Sequence, residues 1–324
     1  MKYAIFVLLF ALACNSPAPE TPVAVAAVKA LPPPAQHKVT FNNKCKETIW
    51  VGSTGNSGFS GLSGGGWAMA KGAVQDVMVP VSWSGRVWPR TGCTFKADGT
   101  CPTLGAPCCA SGSCLQADNK NFGLKCGFSG TPPASLIEVT LDAPSGNGPY
   151  DVYDTSFVDG WSVPVKIDPV AGSFNPLPDP GIGAPWCVTS GCTASPVCPS
   201  GYAVPGSPDS CFSPCQVAIR AGSPDAAKLC CSCNLTTACT CPASCCAGQY
   251  GCTPYHDPAY PADMVCNPWN KDAARAWDTT ALLYISAIKA ACPQVYAWQF
   301  DDHAATFNCR KTAGLVNYTV TFCP

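Results

Sequence analysis

The sequence predicts a mainly β protein built as a sandwich or flattened barrel, and three observations carry that prediction. Short segments rich in β-branched and aromatic residues run from His37 to the end, separated by Gly, Pro, Asn and Asp. Helices of crossover length are missing between them, which disfavours a parallel α/β sheet. Twenty-five cysteines among 324 residues, of which only 12% are charged, point to an oxidising compartment and a fold stapled by disulfides.

The chain opens with Lys2, an apolar run from Ala4 to Ala13 and the cleavage pattern Ala11-Leu12-Ala13, so residues 1–13 read as a signal peptide. That run is about half the roughly twenty residues a bilayer-spanning helix needs. Cleavage after Ala13 would make Cys14 the first mature residue, as in a lipoprotein whose cysteine thiol carries a diacylglycerol. Ala11 and Leu12 depart from the usual lipoprotein box, so an ordinary secretory signal cut at or beyond this point is the alternative. Residues 14–36 are rich in Pro and Ala and read as an extended spacer, which would hold a folded domain, residues 37–324, off a membrane surface.

Setting Cys14 aside leaves 24 cysteines, an even number that allows complete pairing. Strands are expected in KVTFNN (Lys38–Asn43), ETIWVG (Glu47–Gly52), QDVMVPVSW (Gln75–Trp83), GRVWPR (Gly85–Arg90), SLIEVTLDA (Ser135–Ala143), the long segment Asp151–Asp168, and VNYTVTFC (Val316–Cys323). The run Gly64-Gly65-Gly66 reads as a hairpin loop. One helix is expected over Ala281–Ala291, capped by Asp278, Thr279 or Thr280, with Leu282, Ile285 and Ile288 on one face. The cysteines crowd between Cys230 and Cys266, doublets included, and predict a loop-rich lobe ordered by cross-links, with an insertion at about 231–275. A thiolate metal cluster is the competing reading of CCSC and CTC; an oxidising compartment and the scarcity of nearby His argue against it.

Several functions are disfavoured. A net charge of −1 and a pI near 6.3 leave no nucleic-acid footprint, and no basic block suits a polybasic membrane anchor. His37, His256 and His303 stand in no metal-ligand spacing, and neither a G-x-S-x-G elbow nor a phosphate-binding loop occurs. Paired cysteines would leave no thiol nucleophile. No metal and no cofactor are expected, and a monomer is. Asn234 and Asn317 match the glycosylation sequon, which matters only in a eukaryotic source.

The pieces TFNNKCKETIWVG, GRVWPRTGCTF, LIEVTLDAP, DVYDTSFVDGWSVPV, CPSGYAV, CFSPC, CPQVYAWQFDDHAATFNC and YTVTFCP stand in the order found in thaumatin-like proteins. The chain resembles that family from about Lys38 to its last residue. The resemblance implies a flattened β-sandwich of about eleven strands, flanked by a disulfide-rich, partly helical lobe and a small looped lobe. It further implies the pairs Cys45–Cys323, Cys114–Cys126, Cys187–Cys309, Cys192–Cys292, Cys198–Cys211 and Cys215–Cys230. Cys93 would pair with Cys101, although Cys108 and Cys109 beside them are surplus to the family pattern. The remaining surplus, Cys231 to Cys266, receives no assignment.

The family's cleft is lined by one Arg and four carboxylates, which map onto Arg86, Glu138, Asp154, Asp159 and Asp301. Asp154 and Asp159 are an odd number of residues apart, so both reach one cleft only if the chain bends, for which Asp159-Gly160 is a suitable strand end. Singly, each acid could equally be a solvated strand end. Converging carboxylates suit hydrogen bonding to sugar hydroxyls, and a pair can hydrolyse a glycosidic bond if one stays protonated. Glu138 is the candidate acid, Asp159 the nucleophile or base, and Arg86 would hold a remaining acid ionised. Of Tyr150, Tyr153, Phe157, Trp161, Trp298 and Phe300, about two at most should line the cleft, since alternate sandwich positions point inward. Trp88 and Arg90 share the strand parity of Arg86 and are candidate rim residues.

Three functions follow from the resemblance. The first is binding of β-1,3-glucan or a related polysaccharide by a secreted or surface-anchored protein, with a lipid anchor at Cys14 in the anchored case. The second is weak endo-β-1,3-glucanase activity in the same cleft. The third is a defence role, antifungal in kind, acting on membranes or inhibiting a partner enzyme.

Overall fold

The computed structural model describes residues 35–56, 58–146, 148–177, 186–223, 226–230, 279–298 and 301–324. The leader, Cys14, nearly all of the spacer, Cys231 to Cys266, Asp278 and Phe300 therefore lie outside the described residues.

Two sheets face each other. One holds β1 (Gln36–Asn43), β4 (Val74–Pro80), β8 (Val165–Pro169), β9 (Ser190–Gly191) and β13 (Tyr318–Phe322), in the order β4-β1-β13-β8-β9. The other holds β2 (Ile49–Gly55), β3 (Gly66–Met69), β5 (Ser84–Arg90), β6 (Leu136–Ala143), β7 (Tyr150–Ser156) and β12 (Phe307–Cys309), in the order β12-β7-β6-β5-β2-β3. Among the described residues these eleven strands form the sandwich, and β10 (Ala203–Val204) with β11 (Ser207–Cys211) makes a separate two-stranded ribbon. The expected segment Asp151–Asp168 is two strands: β7 and β8 belong to different sheets and are joined by a turn.

Alternation supplies the core. Val39 and Phe41 of β1, Val87 of β5, Ile137 and Leu141 of β6, Tyr153 of β7 and Val320 of β13 are buried between the sheets. First and last strands pair in parallel, Val39 to Asn43 against Tyr318 to Phe322, and Cys45–Cys323 closes their shared end.

A polar cluster sits at the other end. Nδ1 of His37 donates to the Val316 carbonyl at 2.7 Å, and its Nε2 lies 2.9 Å from Oδ2 of Asp142. Asp151 accepts the Asp142 N–H at 2.9 Å and the Tyr318 O–H at 2.6 Å. Burial pushes the Asp151 carboxyl up to about 6, against the downward pull of His37 and of those two bonds. A raised carboxyl binds its proton more tightly in the folded state, so its contribution to stability falls as pH rises from about 4 to 6. The stability gap between wild type and Asp151→Asn should therefore shift by about 2 kcal/mol against the wild type over that window, taking about 1.4 kcal/mol per pKa unit and allowing for the tails of both titrations. Denaturant titrations of both proteins at pH 4, 5, 6 and 7 test this; parallel profiles would refute it.

The small lobe, residues 91–135, folds over one end of β5. It carries Cys93–Cys109, Cys101–Cys108 and Cys114–Cys126. Cys93 is thus not joined to Cys101. The bond from the Ala110 N–H to the Thr91 carbonyl, 2.9 Å, brings residue 109 opposite 93, and the Thr94 N–H on the Cys108 carbonyl, 2.8 Å, continues that pairing. The same lobe corrects the rim expectation for Trp88 and Arg90. Both do lie on the outer face with Arg86, but the lobe covers them and each is fully buried. The Trp88 indole donates to the Gly112 carbonyl at 2.9 Å, and the Arg90 guanidinium reaches the carbonyls of Trp50, Val51, Gly123 and Leu124. Burial pushes the Arg90 pKa down to about 10.

The larger lobe has α1 (Pro214–Arg220), α2 (Ala226–Leu229) and α3 (Thr279–Ala291), followed by a short α4 (Asp302–Ala305) near the sandwich. Ser213 caps α1 by accepting the Gln216 N–H at 3.3 Å, with Pro214 in the first turn. Helix α3 starts two residues earlier than expected, with Thr279 and Thr280 as its first residues. Ile285 and Ile288 are buried in the core as the spacing requires. Cys187–Cys309, Cys192–Cys292, Cys198–Cys211 and Cys215–Cys230 are bonded.

Candidate functional site: an acidic hollow on the sandwich

The outer face of the six-stranded sheet carries a row of cross-strand partners. Thr54 stands opposite Arg86, Arg86 opposite Glu138, and Glu138 opposite Asp154. Directly opposed residues point to the same side, so register alone gathers three of the five expected residues. Nη2 of Arg86 lies 3.1 Å from Oε1 of Glu138, with both side chains about one-third exposed.

Asp159 joins them by a turn. Strand β7 ends at Ser156, the Gly160 N–H donates to the Phe157 carbonyl at 3.0 Å, and Trp161 then pairs with Cys211. Gly160 has φ 86°, and a Cβ there would lie 2.5 Å from the Cys211 carbonyl oxygen, so the position demands glycine. The bend returns Asp159 to a hollow of about 480 Å³ lined also by Arg86, Glu138, Asp154, Thr140 and Tyr296.

Burial pushes the Glu138 carboxyl up; Arg86 opposes that shift and Asp159 adds to it. Asp159 is also pushed up by burial and pulled down by Arg86, but it is the most exposed of the three acids, so water weakens that shift. A proton is therefore held more readily on Glu138 than on an ordinary glutamate, beside a second carboxylate.

Asp301 is not brought to the hollow. It is fully buried, with Oδ2 2.5 Å from Nζ of Lys289 and accepting the Ala297 N–H at 3.0 Å. Its acid character is spent on a buried ion pair that fixes the chain around residues 293–298. Tyr153, Phe157, Trp161 and Trp298 are core residues, and Tyr150 lines a different hollow. Among the described residues the aromatic that lines the acidic hollow is Tyr296, which sequence reasoning missed. Its backbone pairs beside the end of β7, with the Phe157 N–H on its carbonyl and its own N–H on Thr155, both at 2.9 Å. Nothing in local spacing marks that contact. A further hollow, about 840 Å³, lies around Lys44, Lys46, Trp50 and Asp209 near the Cys45–Cys323 bridge; among the described residues its carboxylates are Glu47 and Asp209, set beside two lysines and in no cross-strand row.

Fold and site together define a disulfide-stapled two-sheet protein with an acidic hollow on one sheet. The thaumatin family model matches residues 43–263, and the chain belongs to that family. It is 30% identical to Thaumatin-like protein 1 of Arabidopsis thaliana over 88% of this chain and 85% of that protein. It is 32% identical to Pathogenesis-related thaumatin-like protein 3.5 of Cryptomeria japonica over 88% of this chain and 89% of the other. A Prunus avium protein named Glucan endo-1,3-beta-glucosidase is 30% identical over 88% of this chain and 90% of its own length.

Proposed function

We propose that the acidic hollow binds β-1,3-glucan or a related neutral polysaccharide. The observation that carries this reading is the Arg86-Glu138-Asp154 row with Asp159 folded back beside it and Tyr296 on the wall. Carboxylates accept hydrogen bonds from adjacent sugar hydroxyls, Arg86 donates, and Tyr296 offers an apolar face. We further propose that the protein works outside the cytoplasm. In this reading residues 1–13 are a leader, 14–36 a spacer and Cys14 the point of lipid attachment in an anchored form.

Weak hydrolysis in the same hollow is a second reading, favoured by the raised Glu138 carboxyl beside Asp159 and by the name of the Prunus avium relative. Glu138 would protonate the leaving oxygen, and Asp159 would act as nucleophile or base. The test is incubation of the mature domain with insoluble and soluble β-1,3-glucans, scoring pull-down and release of reducing ends. If the hollow is catalytic, Asp159→Asn should lower release by about 100-fold or more while retaining pull-down. Pull-down with release that ignores the substitution leaves a binding protein. Failure of the wild type in both assays removes the glucan reading.

A further inference from the structure

The turn that presents Asp159 is held from outside the sandwich. The Phe157 carbonyl accepts two hydrogen bonds: the Gly160 N–H at 3.0 Å within the turn, and the Tyr284 hydroxyl at 2.5 Å. Tyr284 belongs to α3, more than 120 residues further along the chain, and it is almost fully buried. Its ring stacks on Trp161 at 5.4 Å and on Tyr202 at 6.0 Å, and Trp161 packs in turn against Phe157 at 5.8 Å. The phenol is thus locked in place by aromatic neighbours on the residues that flank the turn. The Cys192–Cys292 bridge anchors the C-terminal end of the same helix to the strand region after β9.

We propose that Tyr284 is a positioning residue for the acidic hollow: its hydroxyl, bonded to the Phe157 carbonyl, holds the turn that sets Asp159 against Glu138. The disulfide-rich lobe thereby fixes the geometry of a site whose other acids stand on the sheet. The register of β5, β6 and β7 places Arg86, Glu138 and Asp154, whereas Asp159 has no ladder partner and takes its place from this contact and from Gly160. Among the described residues the charged groups facing Asp159 across the hollow are Arg86, Glu138 and Asp154. Slackening the turn moves one negative charge relative to all three. The functional part of this inference rests on the reading of the hollow as a polysaccharide site; the positional part does not.

The experiment uses Tyr284→Phe, which keeps the ring stack and deletes only the hydroxyl, with Val39→Ala in β1 as a control of reduced stability remote from the hollow. Carboxyl carbon resonances of Glu138 and Asp159 are followed by NMR against pH in wild type and both variants, and laminarihexaose binding is titrated in parallel. In Tyr284→Phe the Glu138 midpoint should move downward as the Asp159 charge recedes, and affinity should fall about tenfold, as misplacement of a contact group does. In Val39→Ala both midpoints should stay at the wild-type values. Unchanged midpoints in Tyr284→Phe, or an equal movement in Val39→Ala, would overturn the proposal. Val158→Gly loosens the same turn without touching the stack and should move the Glu138 midpoint the same way, so a poorly folding Tyr284→Phe would still leave a test; an unmoved midpoint there would also count against it. Moved midpoints with a wild type that ignores the sugar would uphold the positioning role and remove the polysaccharide reading instead.

Discussion

Lys289→Ala is expected to lower the free energy of unfolding by about 3–5 kcal/mol, because it strands a buried carboxylate. The ammonium and the Asp301 carboxylate are 2% and 0% exposed and 2.5 Å apart. The same Nζ donates to the Pro293 carbonyl at 3.2 Å and the Val295 carbonyl at 2.9 Å, and it lies 5.2 Å from the centre of the Trp298 ring. Removing it leaves Asp301 charged in the core and frees the segment that carries Tyr296 into the hollow. Lys289→Met with Asp301→Asn removes both charges at nearly constant volume. That double variant should recover at least about 1 kcal/mol relative to the sum of the single changes. Chemical denaturation of the single and double variants measures both quantities. A loss under 0.5 kcal/mol for Lys289→Ala would show that the pair is not a buried clamp.

Arg90→Met is expected to detach the small lobe from the sheet at a cost of roughly 3 kcal/mol, since charge-assisted bonds contribute about 1.5–3 kcal/mol each and do not add fully. Among the described residues Arg90 has no carboxylate partner; its charge is solvated by four carbonyls, two on β2 and two in the lobe. The Val51 and Leu124 carbonyls lie 3.0 and 2.7 Å from Nη2, so one nitrogen bridges strand and lobe. Lysine should not rescue the change, because a single ammonium cannot reproduce the planar fork that spans both sides. Hydrogen exchange should report the loss as faster exchange at the Leu124, Cys126 and Thr131 amides, with β1 and β13 unaffected. Uniform acceleration through both sheets would instead make Arg90 part of the global core.

Much of the fold was legible because strand periodicity is local. Val39 and Phe41, or Ile137 and Leu141, declare an inward face by alternation alone, and the turn residues around them mark the ends. Register is not local. That Arg86, Glu138 and Asp154 share one row depends on how β5, β6 and β7 align, and for this the family resemblance supplied what spacing could not. Parity correctly placed Trp88 and Arg90 on the face of Arg86, but parity says nothing of a lobe folding over that face. Asp301 shows the same limit from the other side, since the sequence records an acid and not the lysine buried 12 residues earlier in α3. Tyr296 and Tyr284 were silent for a related reason: each acts through a backbone contact with the Ser156–Gly160 turn, and long-range contacts of that kind leave no periodic trace.

Binding of a polysaccharide in the acidic hollow is tested most directly by titrating the isotopically labelled mature domain with laminarihexaose and mapping the perturbed resonances. Perturbation should centre on Arg86, Glu138, Asp154, Asp159 and Tyr296 and saturate with one binding curve. Perturbation centred on Lys44, Lys46, Trp50 and Asp209 in the larger hollow, with the carboxylate row unmoved, would contradict it.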